Sequence, residues 1–213
     1  MAPMPEIGEK GDDAMEQTMT PSTTEGQINK AVANFRALLE KHGKEFDSEA
    51  VQIVLGQPEF TDDVFAIFRR RVEAVSKMIA RRVRVNRNLT HQQAIDATGR
   101  VQYVNSEVLA TAPKGKGEDV DIFLFDLDYD PTVEELDCEM EIRGLKPDPD
   151  ALAAFNEADP SFADERPNVT QWRNANGKAC CAIFFRWLDK RYVGVYRDGG
   201  RWFRSYRFAG VRK

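Results

Sequence analysis

The chain is 213 residues long, 42% hydrophobic and 31% charged, with a formal net charge of −5; this suits a folded protein of one or two domains whose core needs no covalent staples. It holds no apolar run of membrane-spanning length and no apolar leader at its start, and its three cysteines, Cys138, Cys180 and Cys181, keep neither disulfide nor metal-ligand spacing. Disulfide scaffolds, membrane contact and metal sites are therefore set aside, and a cytoplasmic location is expected.

Residues 1–23 combine Met, Pro, Gly, Thr and acids with almost no bulky apolar groups, which predicts a disordered tail. A helical subdomain is expected over 24–82. Thr24 and Gln27 have capping-box spacing, and Ile28, Ala31, Val32, Phe35, Leu38 and Leu39 recur at three- and four-residue steps up to Gly43. A short helix is expected from Asp47 or Ser48 to Gly56, with Ala50, Val51, Val54 and Leu55 on its apolar side. A longer one is expected to begin at Thr61 as N-cap, with Asp62 and Asp63 in the turn where the helix dipole favours acids. Its stripe runs Val64, Phe68, Val72, Val75 and Ile79, widened by Phe65, Ile67 and Met78. Stripes of this kind need cover, from one another or from a second chain.

An α+β domain ending in a β-meander is expected over 83–213. Val83 and Val85 alternate with arginines, a strand pattern, and Thr90 with Gln93 repeats the capping-box spacing before a short helix that Gly99 ends. A short strand is expected around Val101–Val104, then a loop at 113–119. Val120–Asp126 carries Ile122, Phe123, Leu124 and Phe125, apolar on both faces as in a central strand. Asp130-Pro131 and Asp148-Pro149 each have the cap-then-proline pattern of a helix start, with Gly144 ending the first helix. Strands are expected near 179–187, 191–197 and 201–211, with Asp198-Gly199-Gly200 as a hairpin turn. Adjacent Cys180 and Cys181 then face opposite sides of the sheet.

The mild net charge hides segregation. Residues 69–100 carry net +7, residues 118–165 carry seventeen acids against two bases, and residues 166–213 carry net +10. The blocks match closely enough to predict that they cancel against one another. The competing reading is a polyanion site. It would use Arg69, Arg70, Arg71, Arg81, Arg82, Arg84 and Arg87, together with Trp202, Arg204 and Tyr206 on one alternation of the last strand, where an open aromatic face stacks bases. That alternation is also ordinary for strand aromatics packed in a core.

Asp126, Asp128 and Asp130 alternate after the central strand, but an EF-hand register from Asp126 puts Pro131 where glycine is required. His42 and His91 are linked to no cysteine by any motif, and there is no phosphate-binding glycine loop or nucleophile elbow. No catalytic residue, metal or cofactor is assigned.

Four stretches carry a resemblance: FRALLEKHGKEF with SEAVQIVLGQ at 35–57, EIRGLKPDPDALAAFNEADPSFADERPN at 141–168, a Trp followed by NGK at 172–178, and RYVGVYRDGGRWFRSYRFAGVRK at 191–213. Together they resemble an uncharacterised family of small proteins of ultrasmall candidate-phyla bacteria. The resemblance implies a bacterial cytosolic protein and transfers no site residue. The expected fold is α+β, a helical N-terminal subdomain followed by a small mixed or antiparallel sheet with helices on one side. The expected function is a non-catalytic binding or adaptor protein whose helical part serves self-association or a protein partner. Nucleic-acid binding is the alternative.

Overall fold

Thr24 opens the first helix as its spacing predicts: its hydroxyl accepts from the Gln27 amide, and the Gln27 side chain accepts from the Thr24 amide. The computed structural model describes residues 23–197 and 199–213. Residues 1–22 of the expected tail and Asp198 of the expected turn lie outside the described residues. The chain divides into two compact units between Phe60 and Thr61.

The first unit holds α1 (Glu25–His42), a 3₁₀ turn (Gly43–Glu45) and α2 (Ser48–Leu55), which Asp47 caps by accepting from the Ala50 amide. Neither helix buries a single residue. Helix α3 (Pro58–Ser76) starts earlier than Thr61, because Pro58 is favoured in a first turn where no amide partner is needed. It also stops earlier than the stripe suggests. Ile79 does not extend the helix but begins a strand, so the helical stretch is shorter than 24–82.

The second unit continues with β1 (Ile79–Arg84), α4 (His91–Ala97), β2 (Val101–Val104), α5 (Ser106–Leu109), β3 (Asp119–Asp126), α6 (Val133–Ile142), β4 (Leu145–Lys146), α7 (Pro149–Ala158), α8 (Phe162–Glu165), β5 (Asn168–Arg173), β6 (Ala179–Trp187), β7 (Lys190–Arg197) and β8 (Arg207–Arg212). The strands form one mixed sheet in the order β1-β3-β8-β5-β6-β7-β2, with β4 added to β8. The protein is α+β. Its C-terminal meander is β5-β6-β7, all antiparallel. The last strand leaves it, pairing antiparallel with β3 and parallel with β5. Residues 201–206 are therefore a connection rather than the start of a hairpin strand. Thr132, not Asp130, caps α6, through a capping box with Glu135; Asp130 accepts from the Arg204 amide instead.

Two apolar layers result. On one face, Ile122, Leu124, Cys180, Phe184, Val193 and Ala209 pack against Leu152 and Phe155 of α7, with α4, α5 and α8 around them. On the other, Phe125, Cys181, Ile183 and Phe208 pack against Leu136 and Met140 of α6 and against Trp202. The one-sided helical cover expected from the sequence is thus the larger of two layers. At the ends of the sheet, β1 presents Arg81, Arg82 and Arg84, and β2 is only four residues long. Leu152 sits fully buried at the centre of the larger layer. Leu152→Ala should lower the free energy of unfolding by roughly 2–5 kcal/mol, read by urea denaturation.

Candidate interaction surfaces

The charge blocks meet in the folded second unit. Arg82 donates to both oxygens of Asp121 at 3.0 Å, Arg166 reaches Asp126 at 3.0 Å, Arg173 reaches Asp137 at 2.6 Å and Arg191 reaches Asp164 at 2.7 Å. Arg84 stands 3.7 Å from Glu118. Exposed pairs of this kind each contribute little, but together they neutralise the acidic segment.

Of the arginines expected to face a polyanion, Arg70, Arg82, Arg84 and Arg87 hold carboxylates of the chain itself. Arg69 lies over the Phe65 ring at 5.0 Å, Arg81 donates to the Ala80 carbonyl, and Arg71 is exposed on α3. Trp202 is 2% exposed and donates its indole N–H to Gln171 at 2.7 Å, which makes it a core side chain. Tyr206 is half-buried beside it, and Arg204 is exposed. The structure does not gather these ten residues on one surface.

A buried ionic cluster lies at the start of α7. Arg87 grips Asp148 with two hydrogen bonds of 2.9 and 2.7 Å, while Asp148 caps α7 by accepting from the Ala151 amide. Asp150 accepts from His91 Nδ1 at 2.6 Å and stands 3.4 Å from Lys114; His91 Nε2 faces the Ala112 carbonyl at 3.1 Å. The loop over the cluster is held by Arg87 donating to the Gly117 carbonyl and Lys114 donating to that of Leu89. A Cβ on Gly115 would lie 1.9 Å from an Asp148 oxygen, so only glycine lets the loop come this close. Burial works to raise the Asp150 carboxyl, but the hydrogen bond and charge of His91 and the ammonium of Lys114 outweigh it and hold the carboxyl below its ordinary value. The sequence showed His91 only as a residue behind an N-cap. Its pairing with Asp150 spans 59 positions and has no local signal.

A groove of about 1090 Å³ runs between α3 and the sheet, lined by Arg70, Glu73, Ala74 and Lys77 on one side and by Asp126, Asp128, Tyr129, Glu139 and Arg143 among others on the second. At its floor Glu139 takes hydrogen bonds from Arg143, from Arg70 at 2.8 Å and from the Tyr129 hydroxyl at 3.3 Å. Burial alone would raise Glu139, yet the two guanidiniums hold it low. Tyr129 is pushed up to about 12 by burial and by the Glu139 charge. Near neutral pH Glu139 therefore stays ionised and Tyr129 stays protonated, so neither is poised to exchange a proton. Asp126 is engaged by Arg166 and by Arg207 at 3.4 Å, and among the described residues no group of three His, Cys, Asp or Glu side chains is placed to hold a metal.

The open aromatic surface lies elsewhere. Across β6, β7 and β2, the rings of Phe185, Tyr192 and Tyr103 stack in a row with centroids 5.4 and 5.8 Å apart and planes within 19°. Tyr103, on the outermost strand, is 65% exposed, and Trp187, two residues along β6 from Phe185, is 66% exposed. Lys190 pairs in register with Trp187. Helix α6 packs on β3, β5 and β8 and leaves this part of the face uncovered.

Each of the three N-terminal helices carries exposed apolar side chains. Ile28, Val32, Phe35, Leu38 and Leu39 on α1, Val51, Ile53, Val54 and Leu55 on α2, and Val64, Phe65, Ile67, Phe68, Val72 and Val75 on α3 are all exposed. Among the described residues no helix is long and apolar enough to cross a membrane. Comparison with protein-family models, with curated proteins and with solved structures finds no match to this chain.

The Asp150 carboxyl titrates lower in the folded chain than in the unfolded one. Its charged form therefore adds stability that is present above its ordinary value of 3.8 and is lost as pH falls through the folded value. Asp150→Asn should destabilise the protein by on the order of 3 kcal/mol at pH 7, and that difference should shrink at pH values below 3.8. Urea denaturation of both proteins across pH 7 to 3 measures it.

Proposed function

We propose that the protein is a non-catalytic binding protein that acts by association, with α1, α2 and α3 as its contact surface. One observation carries this reading: three consecutive amphipathic helices expose their apolar stripes, while the sheet of the second unit closes two packed cores. Isolated helices of 8 to 19 residues are marginal in water, so stripes kept in this pattern require an apolar counterpart. The polar faces argue for protein rather than lipid. Residues 24–76 carry nine acids and seven bases, not the Lys/Arg excess that holds an amphipathic helix on an anionic bilayer. A bacterial cytosolic setting, implied by the family resemblance, belongs to the same proposal.

Phe35→Glu with Leu38→Glu should abolish association and leave the melting of the sheet domain unchanged, measured by sedimentation equilibrium and thermal unfolding. Non-catalysis is tested at the one His–Asp pair described above: a specific turnover that His91→Gln removes would overturn it.

Nucleic-acid binding has one observation of its own, the Phe185–Tyr192–Tyr103 row with exposed Trp187 and Lys190 near it. Stacking of unpaired bases on such rings is worth about 1–3 kcal/mol each. On this reading a labelled single-stranded oligonucleotide binds at low salt, and Tyr103→Ala weakens it by roughly tenfold. Fluorescence anisotropy showing no binding at low salt removes the reading.

A further inference from the structure

Helix α3 is mounted with its polar side toward its own domain. Arg70, Glu73, Ala74 and Lys77, spaced by three, four and seven residues, form the side that lines the groove, and Arg70 bonds Glu139 across it. Val64, Phe68, Val72 and Val75 recur on the opposite side and are exposed. Within the second unit a helix placed this way gains nothing from its apolar side.

The charges beside the stripe indicate what covers it. Asp62 and Arg69 are seven residues apart, two turns, and so lie along one flank; Arg70 is on the groove side, where it holds Glu139. On that flank the acid is in the first half of the helix and the arginine in the second. In an antiparallel pair of identical helices each flank faces its own copy, so Asp62 of either copy meets Arg69 of the other. Asp62 opposite Arg69 requires a two-fold axis beside Ala66. The same axis sets Val64 near Phe68 of the second copy. A parallel pair would instead set this flank against the opposite one and lose the reciprocal match. Neither Asp62 nor Asp63 forms an ion pair among the described residues, and Arg69 contacts only the Phe65 ring.

We propose that the occupant of this surface is a second copy of the chain, docked antiparallel along α3 about a two-fold axis at Ala66, with reciprocal Asp62–Arg69 contacts. The proposal rests on the association reading above and adds the partner and its register. Stable dimers bury on the order of 1,600 Å², more than one helix pair supplies, so the exposed stripes of the preceding helices contribute to the same assembly.

A charge swap in the full-length chain tests it. Asp62→Arg and Arg69→Asp each create two like-charge contacts per dimer, and each should weaken self-association by roughly tenfold in sedimentation equilibrium. Mixed together, the two variants place Arg opposite Asp at both contacts, so the mixture should form a heterodimer of wild-type affinity. Wild-type self-association that neither single variant weakens, or that mixing does not restore, overturns the antiparallel register and leaves the association reading standing. A wild-type chain that stays monomeric at high micromolar concentration overturns both, and cosedimentation of that monomer with phosphatidylglycerol–phosphatidylcholine vesicles would assign the stripe to lipid.

Discussion

Seventeen acids lie between residues 118 and 165, and that stretch supplies β3, next to the edge of the sheet, and helices on both faces. A segment of this charge folds only if cations reach it, and the basic segments on either side do so. The β1 arginines come alongside β3 because the two strands pair, while Arg166 arrives from the end of α8 and Arg173 and Arg207 from β5 and β8. Where the pairs are solvated they contribute little individually. Where they are buried, at Arg87–Asp148 and Arg143–Glu139, geometry becomes strict, since an unpaired charge there is costly. Chain order and charge order thus specify the same sheet order.

Local chemistry was readable from the residues. The capping boxes read at Thr24 and Thr90 appear in the structure, and a third, at Thr132, takes the place of the expected Asp130 cap. The competition was decided at long range: Asp130 is drawn to the Arg204 amide, 74 positions away. Periodicity placed α1, α2, β2, β6 and β7 closely. It failed at Ile79, whose spacing suits a helix stripe but whose neighbours pair with β3. The cancellation of charge blocks was legible because it needs only composition by segment. The His91–Asp150 contact and the row ending at Tyr103 were not, because both depend on a parallel strand or a helix brought in from elsewhere in the chain.

The aromatics illustrate the same limit. Strand alternation correctly separates residues into two faces, but it does not say which face a helix will cover. Trp202 lies outside any strand and seals the smaller core with its N–H on Gln171, whereas Tyr192, on the strand β7, joins the partly open stack. Helix α6 is ten residues long and reaches only part of its sheet face, and that length decides which rings stay open.

Exposed strand edges are where the sheets of neighbouring molecules fuse irreversibly. Here the two borders are blunted in different ways. The β1 side carries the long charged side chains of Arg81, Arg82 and Arg84, and the β2 side offers too few residues to template a lasting ladder. Neither rim of the sheet thus offers a ready template for edge-to-edge pairing.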